Sequence, residues 1–243
     1  EDAKSGRLMG SFAQEVADKY QLTREDMDAF AIESLTKAKN AIDNGSLKDE
    51  IVAVTVKSRK GETIVTDDEQ PHNAKIDKIP TLRPAFKEDG TVTAANSSSI
   101  SDGGSALILA SEAAVKEKGL EPMARIVAHT TNSRHPSEFT IAPIGAIEKL
   151  LEKTKWSKDD VDLFEINEAF AMVTILATRE LGLDPEKVNI HGGACAQGHP
   201  VGSTGSRIIV SLMYALKKLG KKKGIASLCI GGGEATAVAI EMV

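Results

Sequence analysis

Val161-Asp162-Leu163-Phe164-Glu165-Ile166-Asn167-Glu168-Ala169-Phe170-Ala171-Met172-Val173-Thr174-Ile175-Leu176-Ala177-Thr178-Arg179-Glu180-Leu181-Gly182 is the stretch that decides the fold. Val161–Ile166 is a short apolar run of buried-strand type, Glu168–Leu181 reads as a helix, and Gly182 stops it. A strand that feeds directly into a helix is the repeating unit of an α/β sheet. The alternation continues in both directions. Upstream, Arg125–His129 reads as a strand, and a helix opens at Pro143, where proline is well tolerated, and runs through Leu151. Downstream, Val188–Ile190 is a short strand and Thr204–Leu219 a helix ended by Gly220. Ile225–Ile230 and Thr236–Glu241 are apolar strands divided by Gly231-Gly232-Gly233. These strands predict a mixed five-stranded sheet flanked by helices, with the last pair antiparallel across its tight turn.

The first hundred residues read as two helices followed by strands and irregular loops. Thr23 with Asp26 is an N-cap signature, and Met27, Phe30, Ala31, Leu35, Ala38 and Ile42 recur at helical spacing up to Asn44-Gly45. Ile51–Val56 and Glu62–Thr66 are β-rich runs around Lys60-Gly61, a hairpin pattern. Asp67–Arg83 is polar and proline-containing, a surface loop. Thr91–Ala95 and Ser105–Leu109 read as extended, and Ser111–Lys118 as a helix up to Gly119.

Composition removes several function classes. The chain has 243 residues with 30 Lys+Arg against 35 Asp+Glu, a net charge of −5, so it lacks the basic face that nucleic-acid binding requires. No run of 18 apolar residues occurs, which excludes a helical membrane span from the expectations. The opening Glu1-Asp2-Ala3-Lys4 has no apolar core of a signal peptide. Cys195 and Cys229 are the only cysteines and lack metal-ligand spacing, and the five histidines form no HxxxH or HExxH pair. Reduced thiols and no metal site are therefore expected.

Three segments place small or reactive residues just past strand ends, where open α/β sheets bind ligands. In the first, Asn167 stands at the switch from strand to helix; it caps the helix or orients a water. The second, His191 to Gly205, holds five glycines in fifteen residues. So much backbone entropy is spent where turns are tight or a ligand lies against bare backbone. Within it His199 sits between Gly198 and the stiff Pro200. No GxGxxG spacing is present. In the third, Cys229 precedes Gly231-Gly232-Gly233, and is either an inert buried thiol or a group beside backbone amides that form an oxyanion site. Cys195 reads as structural. Lys217, Lys218, Lys221, Lys222 and Lys223 gather at a helix C-terminus, where a solvated face that complements the dipole outweighs a phosphate site.

Together N-E-A-F at 167–170, G-G-A-C-A-Q-G-H-P-V-G-S-T-G at 192–205 and C-I-G-G-G at 229–233 resemble the three C-terminal signatures of the thiolase family, the acetyl-CoA C-acetyltransferases and 3-ketoacyl-CoA thiolases. A fourth similar stretch runs from Leu82-Arg83-Pro84-Ala85-Phe86 through Gly90 to Ser98 and on to Ser101-Asp102-Gly103, and the likeness extends from Leu8-Met9-Gly10 to the C-terminus. The resemblance implies a thiolase-like α/β fold. Residues 1–100 would form most of the α+β loop domain, truncated at its start, 101–120 a remnant of the N-terminal half, and 121–243 the C-terminal domain. It implies a C-terminal portion that lacks the half bearing the nucleophilic cysteine, with an incomplete active site and no activity alone.

The implied reaction is reversible Claisen condensation or thiolysis, with coenzyme A and acyl-CoA as substrates and no permanently bound cofactor. His199 would activate the absent cysteine, Asn167 would hold a water, Cys229 would move the acetyl α-proton, and the Gly231 amide would be one arm of an oxyanion hole. Ser98, Ala169, Phe170 and Met9 would contact coenzyme A, and Phe139 would border the acyl pocket. The departures are Leu8 for a frequent histidine, Phe139 for a Met-Gly type stretch, Gln197 for an aliphatic residue, and Glu234-Ala235 after the triple glycine. Pro71-His72 falls where a basic adenine contact is expected, and Lys78 is a candidate phosphate neighbour. The family implies a homodimer or homotetramer for the full-length protein, and cytoplasm is the default location. The alternatives are a non-catalytic acyl-CoA-binding or scaffolding subunit, and a ketoacyl synthase, which would carry a second histidine at position 229.

Overall fold

The computed structural model describes all 243 residues. Helices α1 (Met9–Lys19) and α2 (Arg24–Asp43) lead into a hairpin of β1 (Val54–Ser58) and β2 (Gly61–Val65) and a short helix α3 (Glu69–Asn73). Then follow α4 (Glu112–Lys118), β3 (Ala124–Ser133), α5 (Ala142–Thr154), β4 (Leu163–Ile166) and α6 (Ala171–Leu181). The chain closes with α7 (Ala194–Gln197), α8 (Thr204–Leu219), β5 (Lys223–Ile230) and β6 (Glu234–Met242). The capping box at α2 forms as read: Asp26 N donates to Thr23 Oγ1 at 3.1 Å and Thr23 N to the Asp26 carboxylate at 3.3 Å.

The main sheet has the order β3-β6-β5-β4, with β3/β6 and β6/β5 antiparallel and β5/β4 parallel. It is mixed and helix-flanked as expected, but has four strands rather than five. The expected strand Val188–Ile190 contributes one parallel bridge, Val188 to Phe164. Asn189, at φ +46°, takes over the ladder with its side chain. Its Oδ1 accepts from Ile166 N and its Nδ2 donates to Ile166 O, both at 2.8 Å. A residue turned into the left-handed region cannot continue a strand.

Two further expected strands are absent. Thr91–Ala95 is an irregular loop organised by buried Asn96, which accepts from Thr93 N at 2.7 Å and donates to Thr91 O at 2.9 Å and Asp28 Oδ1 at 3.0 Å. Ser105–Leu109 has no strand beside it, and Ile108 and Leu109 are 97% and 73% exposed. Apolar alternation marks a segment able to join a sheet, yet supplies no neighbour. The β1/β2 hairpin forms at Lys60-Gly61, and all of its residues are exposed.

Each face of the main sheet has its own core. On one, Phe164 and Ile166 of β4, Ile225 and Cys229 of β5, and Ala235, Ala237 and Ala239 of β6 pack with residues of α5 and α6. On the other, Leu163, Ala226 and Ile240 meet Ile208, Leu212 and Leu216 of α8. Burying each of these larger side chains stabilises by about 1.5–3 kcal/mol. With helices covering both faces, the exposed polar business of the sheet falls at the carboxyl ends of β4 and β5.

Candidate active site

Parallel pairing sets the site. Ile166 lies opposite Ser227, and Asn167 N continues the ladder by donating to Ser227 O at 2.9 Å. Asn167, just past β4, and Cys229, near the end of β5, therefore sit on neighbouring strands about 4.8 Å apart. Helix α6 starts only at Ala171, with Phe170 as its N-cap, so Asn167 caps nothing. Its side chain is free for another task. The carboxamide is buried, Nδ2 lies 3.5 Å from His199 Nε2, and Oδ1 has no partner. A buried acceptor left open costs about 1–3 kcal/mol unless a water or ligand completes it.

His199 reaches this point from the loop between α7 and α8. Its N–H donates to Ser99 O at 3.0 Å, and it forms a parallel bridge with Ile100. Gly198 beside it has φ +86°, and a Cβ there would come within 2.1 Å of Ser101 Oγ, so the loop requires glycine. The imidazole Nδ1 lies 2.6 Å from Thr204 Oγ1, while the Thr204 hydroxyl donates to Pro200 O at 3.0 Å. With its proton committed to Pro200, Thr204 accepts from Nδ1–H. That leaves the Nε2 lone pair as an acceptor facing Asn167 Nδ2 at 3.5 Å, the arrangement of a base. Burial, and secondarily the Arg207 charge, lower the His199 pKa, which keeps the ring neutral around pH 7.

Cys229 is buried, pairs with Ala235 across the hairpin, and burial pushes its thiol up to about 12. The glycine turn after it is required by close approach. Gly233 has φ +98°, and a Cβ there would meet Arg134 O at 2.3 Å. No turn or side-chain acceptor takes the Gly231 N–H, and a Cβ on Gly231 would lie 3.7 Å from Met9 Cε. Met9 thus borders the glycine turn.

The other expected contact residues form one wall. Ser98 N and Oγ both donate to Ala169 O, at 3.1 and 3.0 Å, and Ser97 bridges to Phe170. The Phe170 ring packs edge-on between Phe86 and Phe139, with centroids 6.4 and 6.2 Å away. The 136–141 turn that carries Phe139 packs on β5, β6 and α1. An open cleft of about 430 Å³, lined by Ser101–Ser105 and Pro200–Ser203, adjoins His199.

Several candidates stand elsewhere. His72 lies 3.4 Å from Asp43, and Lys78 is exposed, 3.6 Å from Asp77. The lysine run at the end of α8 is dispersed: Lys218 donates to Ser46 at 2.9 Å, Lys221 lies 3.9 Å from Asp162, and Lys223 stacks over Trp156 at 4.9 Å. Cys195 is a packed thiol that contacts Glu168 O at 3.8 Å, and burial raises its pKa well above the usual thiol value. Glu168, whose pKa burial also raises, accepts from Ser34 Oγ, Asn189 Nδ2 and Cys195 N at 2.7, 2.9 and 3.0 Å. It ties α2 to both loops of the site. Sequence reasoning missed Thr204 and Asn189. Thr204 carried a weak signal, a hydroxyl opening a helix five residues after a glycine-flanked histidine.

Comparison with known proteins accords with this geometry. Residues 120–242 match the family model of the thiolase C-terminal domain, and residues 1–113 that of the thiolase N-terminal domain. The acetyl-CoA acetyltransferase of Syntrophomonas wolfei is 46% identical over 242 residues, covering 99% of this chain and 61% of that protein. The crystal structure of the Bacillus anthracis acetyl-CoA acetyltransferase superposes with a TM-score of 0.96 at 46% identity, over 100% of this chain and 62% of that one. The Ascaris suum Acat5 thiolase, solved in complex with coenzyme A, gives 0.90 at 38% identity, over 100% and 62%. The chain thus spans about three fifths of the length of these relatives. The match to the N-terminal domain over 1–113 corrects the expectation of a purely C-terminal portion: both family domains are represented. No helix is long and apolar enough to cross a membrane.

Proposed function

The chain belongs to the thiolase family, and from that premise we propose that it supplies the base, the carboxamide and one acid–base thiol of a CoA-dependent acyltransferase. The reaction is acetyl-CoA plus acyl-CoA to 3-ketoacyl-CoA plus free coenzyme A, run in either direction. The observation that carries this reading is the His199 ring held at Nδ1 by Thr204 Oγ1 at 2.6 Å, with Nε2 turned toward Asn167 Nδ2 at 3.5 Å.

In the first half-reaction His199 Nε2 takes the proton of a cysteine thiol. In condensation the thiolate attacks the acyl-CoA thioester carbonyl, the C–S bond breaks and coenzyme A leaves; in cleavage it attacks the 3-keto carbonyl, the C2–C3 bond breaks and the acetyl-CoA enolate leaves. Neither thiol of this chain suits that attack. Cys195 is packed against Glu168 with a strongly raised pKa, and Cys229 is held near 12. The thiolase resemblance assigns the acyl-accepting cysteine to a family half outside these 243 residues, and on this reading the chain alone is inactive. The surface by His199 suits such a half: Ile100, which bridges to His199, and Val201, two residues after it, are 99% and 74% exposed, apolar side chains that a partner surface would cover.

Cys229 rests in its acid form, which fits the cleavage direction, where it returns a proton to the acetyl α-carbon. In condensation it removes that proton. Five pKa units above neutrality make this cost about 7 kcal/mol unless the enolate oxygen is stabilised. His199, once it carries a proton on Nε2, with a water completing Asn167 Oδ1, and the free Gly231 N–H are the donors available for two oxyanion positions. Ser98, Ala169, Phe170 and Met9 face the pantetheine, Phe139 borders the acyl group, and the full-length protein forms a homodimer or homotetramer. Mixing the chain with a cysteine-bearing thiolase N-terminal half tests this. Acetoacetyl-CoA cleavage should appear and be lost in His199→Ala and Cys229→Ala. Activity that survives either substitution, or coenzyme A binding without turnover, overturns the reading.

A further inference from the structure

We propose that Gln197 and Arg207 act as a pair of positioning residues that hold the His199 loop against α8 and set a fixed positive charge behind the imidazole. The inference rests on His199 being the base. Gln197 ends α7 two residues before His199, and its amide reaches both ways. Nε2 donates to His191 O at 3.1 Å, closing the loop on itself, and Oε1 accepts from Arg207 Nη1 at 3.5 Å. Arg207 lies one helical turn beyond Thr204, on the same face of α8, and Thr204 holds His199 Nδ1 at 2.6 Å. The loop is therefore fastened to a single helix face at two points three residues apart. An aliphatic side chain at 197 could make neither of the Gln197 bonds.

The Arg207 charge is neutralised only in part. Its Nε is buried with no partner. The carboxyls that feel it are Glu50 and Asp68 from the loop region, Glu165 on β4 and Glu168 after β4. Burial moves Glu50 to about 7 and Glu165 to about 8, so near neutrality Glu165 is mostly protonated and Glu50 about half ionised, and these two compensate the guanidinium only in part. The charged groups around His199 are then few. Arg207 on α8 acts on it directly, and the adjoining 99–105 segment carries only Asp102, an exposed carboxylate. Cys229 on β5 is a neutral thiol and His191 a half-buried neutral ring. A cation in this setting disfavours imidazolium, so the ring stays available as an acceptor.

NMR titration of the His199 ring in the full chain tests the pair without needing turnover. Arg207→Gln should raise the His199 midpoint. Arg207→Lys, which keeps the charge but not the planar fork, should leave it near the wild-type value. Gln197→Leu should leave the fold intact, by amide spectrum, while the His199 ring signals broaden or split as the loop loses its tether. In the reconstituted enzyme Gln197→Leu should lower kcat several-fold with KM little changed. An unchanged midpoint in folded Arg207→Gln, or a sharp, unshifted His199 signal in Gln197→Leu, overturns the proposal. Failure of reconstitution with the expected midpoints intact would count against the acyltransferase reading alone.

Discussion

Replacing Thr204 by valine removes one hydroxyl and keeps the side-chain shape. Thr204 is fully buried; it accepts from His199 Nδ1 at 2.6 Å and donates to Pro200 O at 3.0 Å. The variant strands the Nδ1–H, while the Pro200 carbonyl keeps the backbone N–H groups of Ser203 and Thr204 at 2.8 and 2.9 Å. One unsatisfied buried group costs about 1–3 kcal/mol. The ring can relieve part of this by moving its proton to Nε2, which removes its basic face from the site. Urea unfolding should show a loss of about 1–3 kcal/mol, and each kcal/mol should lower Tm by about 2–4 °C in a domain of this size. Long-range ¹H–¹⁵N correlation should show the Nδ1–H tautomer in the wild type and a mixture or the Nε2–H form in Thr204→Val. Thr204→Ser, which keeps the hydroxyl, should retain the wild-type tautomer. An Nε2–H ring in the wild type, or a Thr204→Val protein with the same tautomer and stability, refutes the reasoning.

Glu165 should make stability fall with rising pH. Its folded pKa, about 8, exceeds the ordinary 4.5 because of burial. The folded state therefore holds a proton that the unfolded state loses between about pH 4.5 and 8. Glu165→Gln should flatten the decline measured by urea unfolding at pH 5–9, whose full extent is on the order of 5 kcal/mol; an unaltered slope contradicts this. Asn189→Ala removes the acceptor of the Ile166 N–H, while the Ile166 carbonyl keeps Thr174 Oγ1 at 3.2 Å, and should cost about 1–3 kcal/mol, with faster hydrogen exchange at the Ile166 amide as the readout. Both thiols should resist iodoacetamide at pH 7.5 in the folded chain, because their raised pKa values leave almost no thiolate; rapid alkylation of either residue speaks against the described surroundings. Leu176→Ala, at a fully buried position of α6, should lose about 2–5 kcal/mol, read by thermal or urea unfolding.

The sheet was legible wherever one segment carried its own signal. β4, β5 and β6 are apolar runs bounded by turns, and the capping box and the Lys60-Gly61 hairpin are local chemistry. The misses share a cause, because a strand is defined by its neighbour. Asn189 replaces a strand with a side-chain amide, and Ser105–Leu109 has a strand's pattern with nothing beside it. For the site, His199, Asn167 and Gly231 were readable because glycine crowding and a switch residue mark strand ends. The open choice at Asn167 between cap and ligand group needed the backbone, which starts α6 three residues later than expected. Arg207 and Thr204 act through side-chain contacts across the α8 face, and helical periodicity assigns them no task.

Acyl transfer to a cysteine beyond these 243 residues, with His199 as its base, is tested most directly by mass spectrometry of the reconstituted protein after acetyl-CoA. The acetyl group should be found on a cysteine of the added half, with Cys195 and Cys229 unmodified, and labelling should vanish in His199→Ala. Acetyl on Cys195 or Cys229 would contradict that assignment.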